Sequence, residues 1–284
     1  MQTIKDKIQQ HINTVSIAEL FIYSNIAVFS IVFLSKAVAT LMQWGENPLF
    51  DWLALPSILE HFYSKPWTLL SYGFLHSGFI HLLFNSLLLY YFGNLFLDFF
   101  SKRDFLIYYF SGIIFGGLIY LVSYNIFPAL MKVNSSLVGA SAGIMAILIG
   151  IATKIPNYAM QFRFIGGIKL WHIAIGVLIL DIIQMPIQNT GGHIAHLGGA
   201  LIGFLLTTKI NKGKNLSSLF SFIKISKKQS PLKTVYKNTN PISNSRTSSN
   251  HQRKIDAILD KISKSGYETL SQSEKDFLFS IGKK

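Results

Sequence analysis

Six apolar stretches alternate with polar connections over roughly the first 210 residues, and each has the length and texture of a helix. Residues 1–18 come first: they are polar, with Ile4, Ile8, Ile12 and Val15 at helical spacing, which predicts a short amphipathic helix lying on a membrane. The first span runs from Glu19 to Met42 and carries Lys36 toward its far end, where a long side chain can reach the interface. Asn47 to His76 is interrupted by Pro56, Pro66 and Trp67 and reads as a long connection, the kind of loop that is commonly functional. A second span covers Gly78–Phe100, a basic turn follows at Ser101-Lys102-Arg103-Asp104, and a third span covers Phe105–Phe127. The fourth, Gly139 to Ala152, has only 14 residues, against the ~20 needed to cross a bilayer. A polar loop, Lys154–Lys169, leads to the fifth span, Leu170–Met185, which contains Asp181. Pro186–Thr190 makes a brief connection to the sixth, Gly191–Thr208.

Beyond residue 210 the texture changes. Residues 211–250 are rich in Lys, Ser and Asn and read as a flexible linker. Residues 251–284 regain a pattern: Ile255, Ile258, Leu259 and Ile262 form one helical stripe, Gly266 marks a turn, and Ser271-x-x-Glu274 suits a capping box ahead of Phe277, Leu278 and Ile281. This predicts a small helical hairpin with no catalytic constellation, an interaction or regulatory module whose partner is unknown.

Composition supports a membrane setting. Half of the 284 residues are hydrophobic and only 14% are charged, where a soluble domain carries about 25%. A cleavable signal peptide is not expected, because the first apolar run starts late, is too long for an h-region and lacks a small-residue cleavage site. The net charge of +13 is concentrated in the tail, which has no nucleic-acid-binding fold, so it is read as topology and membrane-surface attraction rather than nucleic-acid binding. Loops after spans two and four hold Lys102, Arg103, Lys154, Arg163 and Lys169, against Lys65 and Lys132 on the other side. That asymmetry predicts cytoplasmic N- and C-termini. With no cysteine, disulfides and thiolate metal sites are ruled out.

The short fourth span puts Ser141 below the membrane surface, and irregular backbone at that depth is tolerated only beside a wet cavity or inside protein. Ser141 sits in Gly139-Ala140-Ser141-Ala142-Gly143, at a helix N-terminus with free N–H groups. His81 and Asn85, at i and i+4, share one face of span two, and His196 lies in Ala195-His196-Leu197-Gly198-Gly199 on span six. Small-residue runs alone are more often helix-packing seams, and one buried histidine can simply bond a carbonyl. Together, however, a serine, a histidine base and oxyanion donors are the parts of a serine hydrolase. Of the two histidines on span six, His196 is favoured as the base because Gly199 follows one turn on. His193, nearer the loop, is expected to meet water or headgroups.

The order His-xxx-Asn, Gly-x-Ser, Ala-His-x-Gly on spans two, four and six resembles the rhomboid family of intramembrane serine proteases over residues 16–210, helped by Trp67-Thr-Leu-Leu and Phe74-Leu-His76-Ser-Gly-Phe-Ile-His81. The tail from Arg253 to Lys284 is similar to a module found after some bacterial rhomboid domains. The resemblance implies an all-α polytopic membrane protein, a six-transmembrane-helix bundle over residues 19–210 with a cytoplasmic tail, in a bacterial plasma membrane. It implies a serine endopeptidase acting on transmembrane proteins within the lipid bilayer, without cofactor or metal. Ser141 would be the nucleophile and His196 the base, a dyad with no third acidic member. His81, Asn85 and the Ser141 N–H would form the oxyanion hole, and Gly139 and Gly199 would support the geometry. The chain departs from the family pattern at Thr68, where arginine commonly follows Trp67, and at Met145, commonly an aromatic that stacks on the base. Three other readings compete: a catalytically inactive relative that binds transmembrane clients, a metal-dependent protein using His76, His81, His193 and His196, and a transporter.

Overall fold

All six expected apolar segments are helical, and local capping explains where several begin. The computed structural model describes residues 15–45, 47–131, 133–163, 166–211 and 246–281. The N-terminal amphipathic helix expected over residues 1–18 therefore lies outside the described residues up to Thr14, as does the linker from residue 212 to 245. The chain divides into two compact units, residues 1–225 and 226–284.

Helix α1 (Ile17–Leu41) starts at a capping box, in which the Glu19 N–H donates to Ser16 Oγ and the Ser16 N–H donates to the Glu19 carboxylate. The connection read as irregular is instead built of short elements: α2 (Pro48–Leu53), strand β1 (Leu55–Pro56), α3 (Leu59–Ser64), α4 (Thr68–Ser71) and a 3₁₀ turn at Tyr72–Phe74. The prolines that interrupt it act as punctuation, with Pro48 at the first turn of α2 behind an Asn47 cap. Helix α5 (Phe79–Phe99) carries the His81/Asn85 face. Helix α6 (Lys102–Ile126) opens on a second capping box, from Ser101 and Asp104.

Strand β2 (Ser136–Leu137) pairs antiparallel with β1, Leu55 opposite Leu137, and leads into α7 (Ser141–Lys154). The expected polar loop before α8 (Leu170–Gln184) is a β-hairpin, β3 (Ala159–Phe162) with β4 (Gly166–Lys169). Helix α9 (Thr190–Asn211) closes the first unit. Helices α1, α5 and α6 are each long and apolar enough to cross a membrane, and α7 and α8 are apolar but shorter. The protein is an all-α polytopic membrane protein, with two small β ladders among the described residues.

The core sits around α7. Every residue from Ala142 to Ala152 is buried, as expected of a helix apolar on all sides. At ~1.5 Å per residue it is ~21 Å long, short of a ~30 Å hydrocarbon core. It is therefore too short to reach both faces of a bilayer. Glycines on both neighbours let backbones touch it. A Cβ at Gly199 or Gly203 of α9 would meet the backbone of Ala142 or Ala146, and one at Gly112 of α6 would lie 2.6 Å from the Ala142 carbonyl oxygen. Deeper along the bundle, the Tyr108 and Thr207 hydroxyls are 2.8 Å apart, and Thr207 also donates to the Gly150 carbonyl. These contacts tie α6, α9 and α7 together with polar groups that find their partners inside the protein.

The second unit contains α10 (Arg246–Ser265), a 3₁₀ turn at Tyr267–Thr269 and α11 (Gln272–Ile281). The first helix begins earlier than the expected hairpin at residue 251. Gly266 adopts φ +82° at the turn, and Glu274 accepts from the Ser271 N–H at 2.8 Å, half of the expected capping box. The Lys261 ammonium donates to both Glu274 oxygens, at 3.1 and 2.9 Å. These donors, Lys261 first, hold the Glu274 carboxyl down at about 2.

Candidate active site

The serine is delivered by a stitched approach. Ser57 donates its N–H to the Ser135 carbonyl and its hydroxyl to the Val133 carbonyl, while the Ser135 N–H donates back to Ser57 Oγ. Asn125 of α6 donates to the Ser57 carbonyl. The chain thus reaches Gly139 fixed on two sides, and the Gly139 N–H donates to the Tyr72 carbonyl at 3.0 Å. Gly139 itself has φ +128°, a conformation that favours glycine. A Cβ there would also lie 2.9 Å from the His81 ring. The glycine before the serine therefore meets two needs at once: a backbone turn, and close approach of the histidine.

Ser141 is the first residue of α7, beyond an N-cap, Ala140, whose side chain makes no capping bond. The first intrahelical bond is from the Ile144 N–H to the Ala140 carbonyl, so the N–H groups of the opening turn remain available to a ligand. His196 Nε2 lies 2.6 Å from Ser141 Oγ. Residues 55 positions apart meet because Gly199, one turn past His196, lets α9 lie directly on the Ala142 backbone next to the serine.

A third side chain stands behind the histidine. Asp181 Oδ1 of α8 is 2.8 Å from His196 Nδ1 and 2.7 Å from His193 Nδ1. The dyad expected without an acidic member thus has one against it. Two corrections follow. His193, expected to meet water or headgroups, is buried with only 8% of its surface exposed. The reason is its i, i+3 relation to His196, which puts both rings on the α9 face turned toward α8. Asp181, noted in the sequence without a role, is the residue that sequence reasoning missed. A carboxylate in a lipid-embedded helix is costly unless paired, and that cost was the signal available to find it. Because an ionised carboxylate only accepts, both imidazoles place their proton on Nδ1. That leaves the His196 Nε2 lone pair facing the Ser141 hydroxyl, the tautomer a general base needs.

The oxyanion donors are partly assembled. The Ser77 N–H points at His81 Nδ1, 3.4 Å away, with Ser77 Oγ at 3.0 Å from the same nitrogen. An accepting Nδ1 leaves the proton on Nε2, the edge of the ring that lies over Gly139 beside Ser141. Asn85 is buried on the same α5 face, but its amide donates to the His81 carbonyl at 2.9 Å, and its Oδ1 has no partner among the described residues. The structure thus gathers Ser141, His196, His81, Gly139 and Gly199, and turns the Asn85 amide along its own helix. Of the two departures from the family pattern, Thr68 is fully buried and its hydroxyl caps the Lys65 carbonyl at 2.6 Å. Met145 is buried one turn along from Ser141, and the bond from Asp181 supplies a direct orienting contact to the His196 ring.

Comparison with known proteins identifies the family. The family model described as the Rhomboid domain matches residues 63–212, more than half of the chain, and a family of unknown function (DUF6576) matches residues 245–283. The chain is 29% identical over 161 residues to the "Presenilin-associated rhomboid-like protein A, mitochondrial" of Danio rerio, covering 56% of this chain and 38% of that protein. It is 33% identical over 145 residues to "RHOMBOID-like protein 4" of Arabidopsis thaliana, covering 49% and 33%. To "Rhomboid-like protein 16, chloroplastic" of the same plant it is 24% identical over 208 residues, covering 67% and 64%. The chain thus spans between a third and two thirds of the length of these relatives. Two of their names place them in mitochondria and chloroplasts, compartments different from the bacterial membrane expected from the sequence. With the matched segment holding the entire serine–histidine arrangement, the chain belongs to the rhomboid family of integral membrane proteins.

Proposed function

We propose that this protein is an intramembrane serine endopeptidase that hydrolyses peptide bonds in or near the transmembrane helices of other membrane proteins. The observation that carries this reading is the 2.6 Å contact between His196 Nε2 and Ser141 Oγ at the open N-terminus of a buried helix. Ser141 Oγ attacks the scissile carbonyl carbon while its proton passes to His196 Nε2. The resulting imidazolium is stabilised by Asp181, and the tetrahedral oxyanion accepts from the His81 Nε2–H and from N–H groups opening α7, with Asn85 beside them. His196 then returns its proton to the leaving amine. A water molecule repeats the sequence on the acyl-enzyme and frees Ser141. In this site Asp181 is a positioning residue, acting through His196. Neither step calls for a cofactor.

Substrates have to present an unwound segment, because a peptide bond within a helix is shielded and hydrogen-bonded. Helix ends and neighbourhoods of glycine or proline open most cheaply, glycine costing ~1 and proline ~3 kcal/mol in a helix interior. In this reading the basic loops and tail keep both termini on the side opposite the serine. The residues after 245 supply no group to the chemistry and serve as an interaction module.

The test uses the tag-free full chain in proteoliposomes with a single-span model substrate, together with labelling by a serine-reactive fluorophosphonate. Wild type is expected to cleave and to label, and Ser141→Ala and His196→Ala to do neither while still inserting and folding. Cleavage by Ser141→Ala, or a folded wild type that neither cleaves nor labels, would overturn the proposal.

A further inference from the structure

His193 has no part in the chemistry above, yet it is buried and aimed at the same carboxylate oxygen as His196. Asp181 Oδ1, His193 Nδ1 and His196 Nδ1 converge from two helices, with oxygen–nitrogen distances of 2.7 and 2.8 Å. One ligand atom from each of the three residues lies within 4.8 Å of the others. The second carboxylate oxygen, Asp181 Oδ2, is buried and has no hydrogen-bond partner among the described residues. Two imidazoles and a carboxylate suit zinc, which takes three protein ligands at ~2.0–2.2 Å and leaves a fourth position open. A tetrahedral site with ~2.0 Å bonds has edges of ~3.3 Å, so each oxygen–nitrogen pair has to open slightly and the two histidine nitrogens, which lie within 4.8 Å of each other, have to draw together.

We propose that Asp181, His193 and His196 form a reversible site for a divalent transition-metal ion, zinc by ligand chemistry, and that its occupancy switches the serine off. The consequence for activity rests on the protease reading; the binding site itself does not. In the metal-free protein each ring is neutral and carries its proton on Nδ1, where Asp181 accepts it. An ion bound through both Nδ1 atoms takes those lone pairs, so each neutral ring must carry its proton on Nε2 instead. Two Nδ1 protons leave and two Nε2 protons are gained, and the site's proton count is unchanged. His196 Nε2 then faces Ser141 Oγ as a donor. A donor in that place holds the serine oxygen but cannot remove its proton. The metal thereby turns the base into a clamp on its own nucleophile, without displacing either residue.

The test is a titration of the tag-free full chain with Co²⁺, read by its visible d–d absorption, alongside substrate cleavage with and without Zn²⁺. Wild type and Ser141→Ala are expected to bind one Co²⁺ with a tetrahedral spectrum. His193→Gln and Asp181→Asn are expected to bind on the order of 100-fold or more weakly, while His172→Gln, altered at an exposed histidine, binds as wild type. Zinc at ten times its dissociation constant is expected to cut wild-type cleavage about tenfold by mass action, and the same dose to leave the plus-to-minus-zinc ratio of His193→Gln near one. Zinc-edge X-ray absorption of wild type, which needs no variant, is expected to count two imidazoles and one carboxylate. Absence of saturable Co²⁺ binding, equal binding by His193→Gln, or a different ligand set overturns the proposal. A chain that binds Co²⁺ through His193 and Asp181 but cleaves nothing would overturn the protease reading and leave the site standing.

Discussion

Replacing Asp181 with asparagine keeps the size of the side chain and removes its charge. In the resting site Oδ1 accepts from His196 Nδ1 at 2.8 Å, a bond that a neutral amide oxygen could still make, more weakly. The larger effect comes when His196 becomes an imidazolium. At ~4 Å between charge centres the Asp181–imidazolium attraction is worth ~4 kcal/mol at an effective dielectric of ~20, which corresponds to roughly 10³ in rate. A second path adds to the loss: if the new amide turns its NH₂ toward His196, Nδ1 must accept and the proton moves to Nε2, disarming the base. In the soluble serine-protease triad the same substitution costs about 10⁴. The expected result for Asp181→Asn is therefore a fall of ~10²–10⁴ in kcat with little change in KM, because Asp181 lies behind the base and touches no substrate. The assay is steady-state cleavage of the model substrate in proteoliposomes, with folding checked by circular dichroism. Asp181→Asn and Asp181→Ala variants that both fold and retain kcat within about threefold of wild type would refute the reasoning.

Three other outcomes follow from the same geometry. His81→Ala removes the ring that lies over Gly139 and should lower kcat by ~10²–10³, the usual cost of one oxyanion donor, while fluorophosphonate labelling falls in parallel. Gly199→Ala places a Cβ on the Ala142 backbone, and backbone cannot rotate away as a side chain can. It should destabilise the bundle by ~1–3 kcal/mol in a detergent or denaturant melt and lower activity with it. Glu274 is held at about 2 in the folded hairpin against 4.5 unperturbed. Its contribution to hairpin stability is thus present above about 4.5 and lost as the pH falls toward about 2. An NMR titration of its carboxyl should show the depressed midpoint, and Lys261→Ala should return it toward 4.5.

Much of the bundle was legible because a bilayer imposes one-dimensional rules. Each span from Glu19 onward was bounded by the change from apolar to polar residues, since backbone in lipid has to satisfy itself within a helix. The ends of the six helices fall within a few residues of those bounds. The shortness of the fourth span is matched by a 14-residue helix, and the close helix contact expected at Gly199 is present against the Ala142 backbone. Motif order named Ser141, His196 and His81, and the fold brings these three side chains together.

What tertiary structure decided was everything that depends on pairing across the chain. The elements of residues 48–74 could not be read locally, because their order comes from distant partners, as when Leu55 pairs with Leu137 and Ser57 with Ser135. Nothing in the sequence near Asp181 says which way it faces; only the packing of α8 beside α9 turns it to His196 and His193. The same packing buries His193, whose position near a loop suggested exposure. Asn85 shares the face of His81 as its spacing requires, but its amide follows the carbonyl within reach on its own helix. Periodicity fixes which residues share a face, and that much the sequence by itself determined. Which face meets which neighbour is set by the summed contacts of the whole bundle, and in this protein that is what brings the Asp181 carboxylate to the Nδ1 side of His196.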